Sequence, residues 1–178
     1  MSKKVLILSS SPRKKGNSNA LCDRFMEGAV EAHHQVEKVV LADKKINYCT
    51  GCYACKANGK CAQKDDMAPI LDSMIAADVI VMATPVYFYT MCAQMKTVID
   101  RCVARYTKIT SKEFYFIVAA ADSNKAAMER TIEGFRAFTS CLTSAKEKGI
   151  VYGTGAWEIG DILKSRAMNQ AYEMGKAL

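Results

Sequence analysis

The sequence predicts an α/β protein, a parallel sheet covered by helices on both faces, and three observations predict it. Short apolar runs of strand length alternate with segments whose apolar residues recur at helical spacing. The order is strand then helix, five times over, which a sheet built from crossover units produces. No internal repeat, low-complexity stretch or linker interrupts the 178 residues. Residues 1–178 therefore read as one domain, long enough to bury a substantial core.

Each element has its own signal. Val5-Leu6-Ile7-Leu8 is a continuous apolar run, as in a strand buried on both faces. Leu21, Phe25, Met26, Ala29 and Val30 mark a helix over 19–32. Val36, Val39, Val40 and Leu41 mark a second strand over 35–41. An irregular stretch of roughly 42–65 follows, and loops of about 15 residues or more inside compact domains are commonly functional. Asp65-Asp66 offers a cap for a helix striped by Met67, Ile70, Leu71, Met74 and Ile75. A strand over 78–83 leads into a predicted loop over 84–89. A helix then carries Met91, Met95, Val98, Ile99, Cys102 and Val103 on one face. Residues 114–121 predict a fourth strand and 126–145 a fourth helix. A fifth strand begins at 150, and a closing helix covers 160–177.

Half of the chain is apolar and 24% is charged, a globular composition rather than a disordered one. No apolar run approaches the ~20 residues of a membrane-spanning helix. Met1-Ser2-Lys3-Lys4 leads directly into a strand, with no signal peptide in view, so a cytoplasmic location is expected. The net charge of +7 favours anionic partners. Nucleic acid and a phosphorylated cofactor are the two candidates, but the lysines come as scattered pairs without a basic tract or a nucleic-acid motif, and most of them read as solvated surface charges. His33 and His34 lie at the end of the first helix, away from the strand ends, and are given no role.

In open parallel sheets, ligands bind beyond the carboxyl ends of the strands. Three strand ends are unusual here. The first is "SSSPRKKGNSNAL", residues 9–21, with Ser9, Ser10, Ser11, Asn17, Ser18 and Asn19 as side-chain donors and Arg13 as a cation. It contains neither GxGxxG nor GxxxxGK[ST]. Its donors, with the free N–H groups of the next helix, suit the dense charge of a phosphate monoester. A polar turn with an ordinary cap is the competing reading. The second is Thr84 to Tyr89, whose backbone and aromatic residues suit a planar heteroaromatic ring. The third is Ala119 to Asn124, where small residues admit a flat ligand; a plain turn with Asp122 or Ser123 capping the next helix is the competing reading.

A phosphate at the first loop and a flat ring at the next two describe a flavin mononucleotide site. "SSSPRKKGNSNAL", "CTGCYACKANGKCAQKDD" and "TPVYFYTMCAQMKTVIDR" resemble motifs of the flavodoxin-like NAD(P)H-dependent FMN reductase family, and "GDILKSRAMNQAYEMGKAL" is similar to its last helix. The resemblance implies a doubly wound, flavodoxin-like, five-stranded parallel sheet in the order 2-1-3-4-5. It implies FMN as cofactor, NAD(P)H as co-substrate, and a homodimer or homotetramer. It implies that Ser9, Ser11, Arg13, Asn17, Ser18 and Asn19 hold the phosphate. Pro85, Val86, Tyr87 and Phe88 would hold the isoalloxazine ring, with Ser123 nearby. Lys96, Asp100 and Arg101 fall in the family's "K..IDR" stretch and are read as structural.

Eight cysteines are many for a protein in a reducing compartment. Cys22, Cys92, Cys102 and Cys141 lie in helix-like segments and read as small core residues. Cys49-x2-Cys52-x2-Cys55-x5-Cys61 puts four thiols in a loop of about 43–65. Such spacing suits an iron–sulfur cluster or zinc, and free thiols lining a pocket are the third reading. The motif resembles that of the iron–sulfur flavoproteins, a branch of the same fold, which implies a [4Fe–4S] centre near the flavin. Cys52 and Cys55 are the pair expected near the ligand. The expected activity is transfer of electrons from NAD(P)H through FMN to a small acceptor such as a flavin, quinone, nitro or azo compound, or to a redox carrier protein. A flavodoxin-like electron-transfer protein without its own substrate is the alternative.

Overall fold

Alternation along the strands decides which helix covers which side of the sheet. In the computed structural model, which describes residues 1–178, five parallel strands form the sheet. They are β1 (Lys4–Ser9), β2 (Gln35–Val40), β3 (Val79–Tyr87), β5 (Glu113–Ala119) and β6 (Lys146–Gly153). A two-residue strand, β4 (Thr90–Met91), pairs antiparallel with β3. The sheet order is β2-β1-β3-β5-β6. Counted without β4, that is the expected 2-1-3-4-5.

Successive side chains of a strand point to opposite faces. Leu6, Leu8, Ile80, Met82, Phe114 and Phe116 therefore share one core. It is closed by α2 (Met67–Ala76), α3 (Ala93–Arg101) and α4 (Glu129–Ser140). Val5, Ile7, Val79, Val81, Tyr115 and Ile117 share the other, closed by α1 (Asn17–Glu31) and α5 (Arg166–Lys176). The polar alternation of β2 matches its place at the sheet edge. No helix is long and apolar enough to cross a membrane.

The structure corrects several expectations. The predicted loop 84–89 continues β3 through Tyr87, with Pro85 in register with Ala119, and then turns back into β4. Cys92 N–H donates to Thr84 Oγ1 at 3.0 Å across this hairpin. Its two turn residues, Phe88 and Tyr89, have φ of 47° and 65°. This is the left-handed pair that two-residue hairpins prefer, here built without glycine and so under strain.

Met91 consequently lies in β4 rather than in a helix, and Val103 is exposed in a 3₁₀ turn beyond α3. The fourth helix stops at Ser140 instead of 145. There the Thr139 and Ser140 hydroxyls donate to the carbonyls of Arg136 and Ala137, competing with continued helix. β6 correspondingly begins at Lys146. Cys141 caps that helix end and is exposed, not core. The closing helix is broken into a 3₁₀ turn, Asp161–Lys164, and α5, with Gly160 at φ 97° before the turn.

Candidate active site

The loop after β1 is shaped from behind by two residues expected at the ligand. Ser9 Oγ donates to Asn19 Oδ1. Asn19 Nδ2 donates to the carbonyls of Arg13 and Lys14 at 2.9 and 3.1 Å. Ser9 and Asn19 thus bond within the loop, and neither is part of the cavity wall beside it. Arg13 N–H donates to Ser11 Oγ at 3.2 Å and Gly16 N–H to Arg13 O at 2.9 Å, closing the turn. A Cβ at Gly16 would collide with Ser11 Oγ and stand 3.0 Å from Arg13 O, so a larger residue there would have to displace the Ser11 hydroxyl from the turn.

α1 starts immediately after Gly16 without a side-chain cap and without an acidic residue in its first turn. The N–H groups of a helix's first turn have no intrahelical acceptor, and the dipole there is positive. Ser18 Oγ, in that turn, is buried and makes no hydrogen bond. With Arg13 beside it, this cradle has the donors and charge for a phosphate monoester.

The cradle opens into a cavity of about 510 Å³, within the range of small-molecule sites. Ser11, Arg13, Gly16, Asn17 and Ser18 form one part of its wall. Pro85, Val86, Tyr87, Phe88 and Tyr89 form another, and Ala119 to Asp122 a third. The three small alanines leave room for a flat ring, and the hairpin supplies aromatic surface. Phe88 is 98% exposed. Ser123 lies outside, in a separate groove with Lys125 and Tyr152. Asn124, not Asp122 or Ser123, caps the following turn, accepting from Ala126 N–H at 3.0 Å.

Tyr89, the end of the expected ring loop, also lines the cavity, as do Ala127, Ala156 and Trp157, which lie outside the three expected stretches. Ala156 and Trp157 follow the carboxyl end of β6, so the strand-end rule applied to the fifth strand would have found them. The Asn17 amide, expected at the phosphate, bonds to this same segment. Its Nδ2 donates to the carbonyls of Ala156 and Glu158 at 3.2 and 2.9 Å.

The cysteine loop is tied at its neck. Arg101, at the end of α3, pairs with Asp65, and their side chains are 2% and 1% exposed. Its Nη1 donates to Asp65 Oδ2 at 2.7 Å and to Asn47 O at 2.6 Å. Its Nη2 donates to Asp65 Oδ1 at 3.0 Å and to Cys61 Sγ at 3.4 Å. Asp65 also accepts from the N–H groups of Asn47 and Met67. Asp66 and Lys45 exchange two further bonds beside it.

Burial alone would raise the Asp65 carboxyl. The hydrogen bonds from Arg101, Asn47 and Met67 outweigh it and hold the group below the usual carboxylate range. Arg101 is therefore a buried structural ion. Lys96 and Asp100 are an exposed helix pair at 2.6 Å.

Beyond the neck, Cys52 is exposed, Cys49, Cys55 and Cys61 are half-buried, and none lines the cavity. No three of the chain's Cys, His, Asp or Glu side chains gather at one point as a single metal ion requires. A four-iron cluster takes one thiolate per iron, so its donors stand apart, and the loop's donor set has the right chemistry for it. The Ala54 amide and the Thr50 hydroxyl hold the Cys52 thiol below its ordinary range. Burial pushes the Cys22 and Cys102 thiols up to about 12, which makes them inert core residues.

The model of the NADPH-dependent FMN reductase family matches residues 3–144. An iron–sulfur flavoprotein of Archaeoglobus fulgidus is 40% identical over 112 residues, 63% of this chain and 51% of that protein. The chain thus spans about half the length of that relative. An iron–sulfur flavoprotein of Methanosarcina thermophila is 30% identical over 132 residues, 73% of this chain and 69% of that protein. An NAD(P)H:quinone oxidoreductase from Methanothermobacter marburgensis has a similar structure, with a TM-score of 0.76 at 16% identity. The match covers 99% of this chain and 96% of that one. At such identity the structural likeness speaks for the fold, which is flavodoxin-like as expected. The family model and the Methanosarcina relative carry the assignment, and this chain belongs to the NADPH-dependent FMN reductase family.

Proposed function

We propose that the chain is a single FMN-binding domain, residues 1–178, acting as a cytoplasmic NAD(P)H-dependent oxidoreductase. FMN held there would supply the redox chemistry between the nicotinamide cofactor and a small acceptor (flavin, quinone, nitro or azo compound) or a redox carrier protein. The chain's own part is binding and positioning. Ser11, Ser18, Arg13 and the first N–H groups of α1 hold the phosphate. The β3–β4 hairpin and the Ala119–Ala121 strand end enclose the ring. No wall residue has to act as acid or base, because hydride transfer depends on orientation and exclusion of water. The exposed aromatics Tyr87, Phe88, Tyr89 and Trp157 at the cavity favour a homodimer or homotetramer, which light scattering of the purified chain decides.

The single observation that carries this reading is the buried, unbonded Ser18 hydroxyl in the first turn of α1. A buried polar group without a partner costs roughly 1–3 kcal/mol, a cost that a phosphate oxygen at the helix N-terminus removes. Ser18→Ala should therefore leave the flavin-free protein as stable as before or more so. It should also weaken FMN binding by about tenfold. Arg13→Ala should weaken it by about tenfold to a hundredfold, the worth of a charge-assisted bond. Fluorescence titration with FMN measures both, and unchanged affinity in both variants rejects the phosphate site. Mass spectrometry of the released cofactor should find FMN, not FAD.

A second reading rests on the four loop thiols and on relatives that bear the name iron–sulfur flavoprotein. In it, Cys49, Cys52, Cys55 and Cys61 ligate a [4Fe–4S] cluster, with Cys61 already tied to the loop neck through Arg101. After anaerobic reconstitution, about four irons and four sulfides per chain are expected from the cluster stoichiometry. Loss of the reduced EPR signal in Cys55→Ala is expected as well. Less than about one iron per chain would return the cysteines to free thiols.

A further inference from the structure

The Asn17 side chain has no hydrogen-bonding capacity left for a ligand. An asparagine amide has two N–H donors and two acceptor lone pairs. Both donors go to Ala156 O and Glu158 O, and Oδ1 accepts from the N–H groups of Gly160 and Ile162 at 3.1 and 3.4 Å. All four partners belong to one segment, the irregular stretch between β6 and α5. Glycines with positive φ, Gly155 at 65° and Gly160 at 97°, mark bends in it.

The segment is organised in its own right as well. Asp161 Oδ2 accepts from the N–H groups of Trp157 and Glu158 at 3.0 and 2.7 Å. A second tie joins it to the phosphate loop, where Arg13 Nη1 donates to Trp157 O at 3.1 Å. Trp157 is 67% exposed and lines the cavity. Few apolar contacts hold a side chain so exposed, so its place depends on the polar ties of its backbone.

We propose that Asn17 is a positioning residue that staples the 156–162 segment to the phosphate cradle and so places Trp157 in the cavity wall. Its backbone N–H, in the first turn of α1, stays available to an anion, whereas its side chain acts through Trp157. The consequence for binding rests on the FMN reading above. Cradle and wall share Asn17 and Arg13, so a phosphate in the cradle and an ordered Trp157 favour each other, and the coupling is reciprocal.

Trp157 is the chain's single tryptophan and reports its own order. In the flavin-free full chain, Asn17→Ala should lower the fluorescence anisotropy of Trp157. It should also speed amide exchange in residues 154–162 by about tenfold or more, as expected for a segment whose local opening has become easier. Asn17→Asp keeps the acceptors but sets a carboxylate oxygen against the Ala156 and Glu158 carbonyls, so it should loosen the segment as well, and it serves if the alanine variant does not fold.

With FMN as ligand, Asn17→Ala and Trp157→Ala should each weaken binding by about tenfold. The double variant should bind no more weakly than the worse single one, because residues that act through one another are not additive. Unchanged anisotropy and exchange in both Asn17 variants overturns the staple. So do additive losses in the double variant, which would make the Asn17 amide a direct phosphate donor. If the wild-type chain binds no FMN, the FMN reading fails by itself, and the exchange measurement alone decides the staple.

Discussion

Arg101→Ala should lower folding stability by about 3–5 kcal/mol, the cost of leaving one member of a buried ion pair without its partner. The change strands the Asp65 carboxylate and removes the donors to Asn47 O and Cys61 Sγ. The neck of the cysteine loop then opens, and amide exchange over 45–66 should rise with it. Arg101→Lys keeps a charge but offers a point donor instead of a planar fork. It cannot serve both Asp65 oxygens and the Asn47 carbonyl together, and should lose roughly 1–3 kcal/mol.

Urea unfolding measures both variants. A loss below about 1 kcal/mol for Arg101→Ala would rank the pair with surface ion pairs and defeat the argument. The sign of the pH dependence follows from the lowered Asp65 carboxyl. A carboxyl depressed on folding stabilises fully above its unfolded value of about 3.9 and loses that contribution as pH falls through the folded one. The difference between wild type and Asp65→Asn should therefore be full at neutral pH and shrink in acid.

The central strands were legible because burial on both faces leaves an uninterrupted apolar run, as in Val5–Leu8 and Val79–Ala83. The β3–β4 hairpin was not. Proline and clustered aromatics imitate a loop, and a turn at Phe88 and Tyr89 lacks the glycine or asparagine that normally announces one. The fourth helix was overdrawn because Leu142, in the turn that follows it, is itself buried and extends the apolar periodicity past the true end.

At the site, residue types could be read but not their partners. Serine and asparagine after a first strand signal hydrogen bonding, yet Ser9, Asn17 and Asn19 spend it on the protein's own chain, while Ser18 does not. Arg101 looks like one of three surface charges on a helix. Only the fold brings in Asp65, 36 residues away in sequence, and makes it a buried clamp. Trp157 sits just past the fifth strand end, where the strand-end rule points, but its tie to Arg13, 144 residues upstream, is made only by the fold.

Glycine-to-alanine substitutions should change stability in opposite directions at two kinds of helical site, and the larger effect falls where α1 crosses α5. A Cβ at Gly28 would collide with the Tyr172 carbonyl oxygen and stand 2.8 Å from Lys176 N. One at Gly175 would collide with the Phe25 carbonyl oxygen and stand 3.0 Å from Ala29 N. All of these are backbone atoms, so no rotamer change relieves the overlap and the helices must separate. Overpacking of this kind costs about 1–3 kcal/mol or more, which exceeds the roughly 0.5–1 kcal/mol that alanine contributes over glycine within a helix.

Gly28→Ala and Gly175→Ala should both destabilise, and the pair together should lose about 3 kcal/mol or more. Gly134 in α4 is the control. Its added Cβ meets only Met91 Cε, the free end of a flexible side chain, so Gly134→Ala should be neutral or stabilise by up to about 1 kcal/mol. The link to the proposed function is that α1 begins at the loop proposed to hold the FMN phosphate and α5 follows the Trp157 segment. Parting the two helices should therefore also weaken FMN binding in the variants that still fold, while Gly134→Ala leaves it unchanged. Thermal unfolding and FMN titration of the three variants test this. Equal stability of Gly175→Ala and wild type would mean that the two helices do not need their close approach.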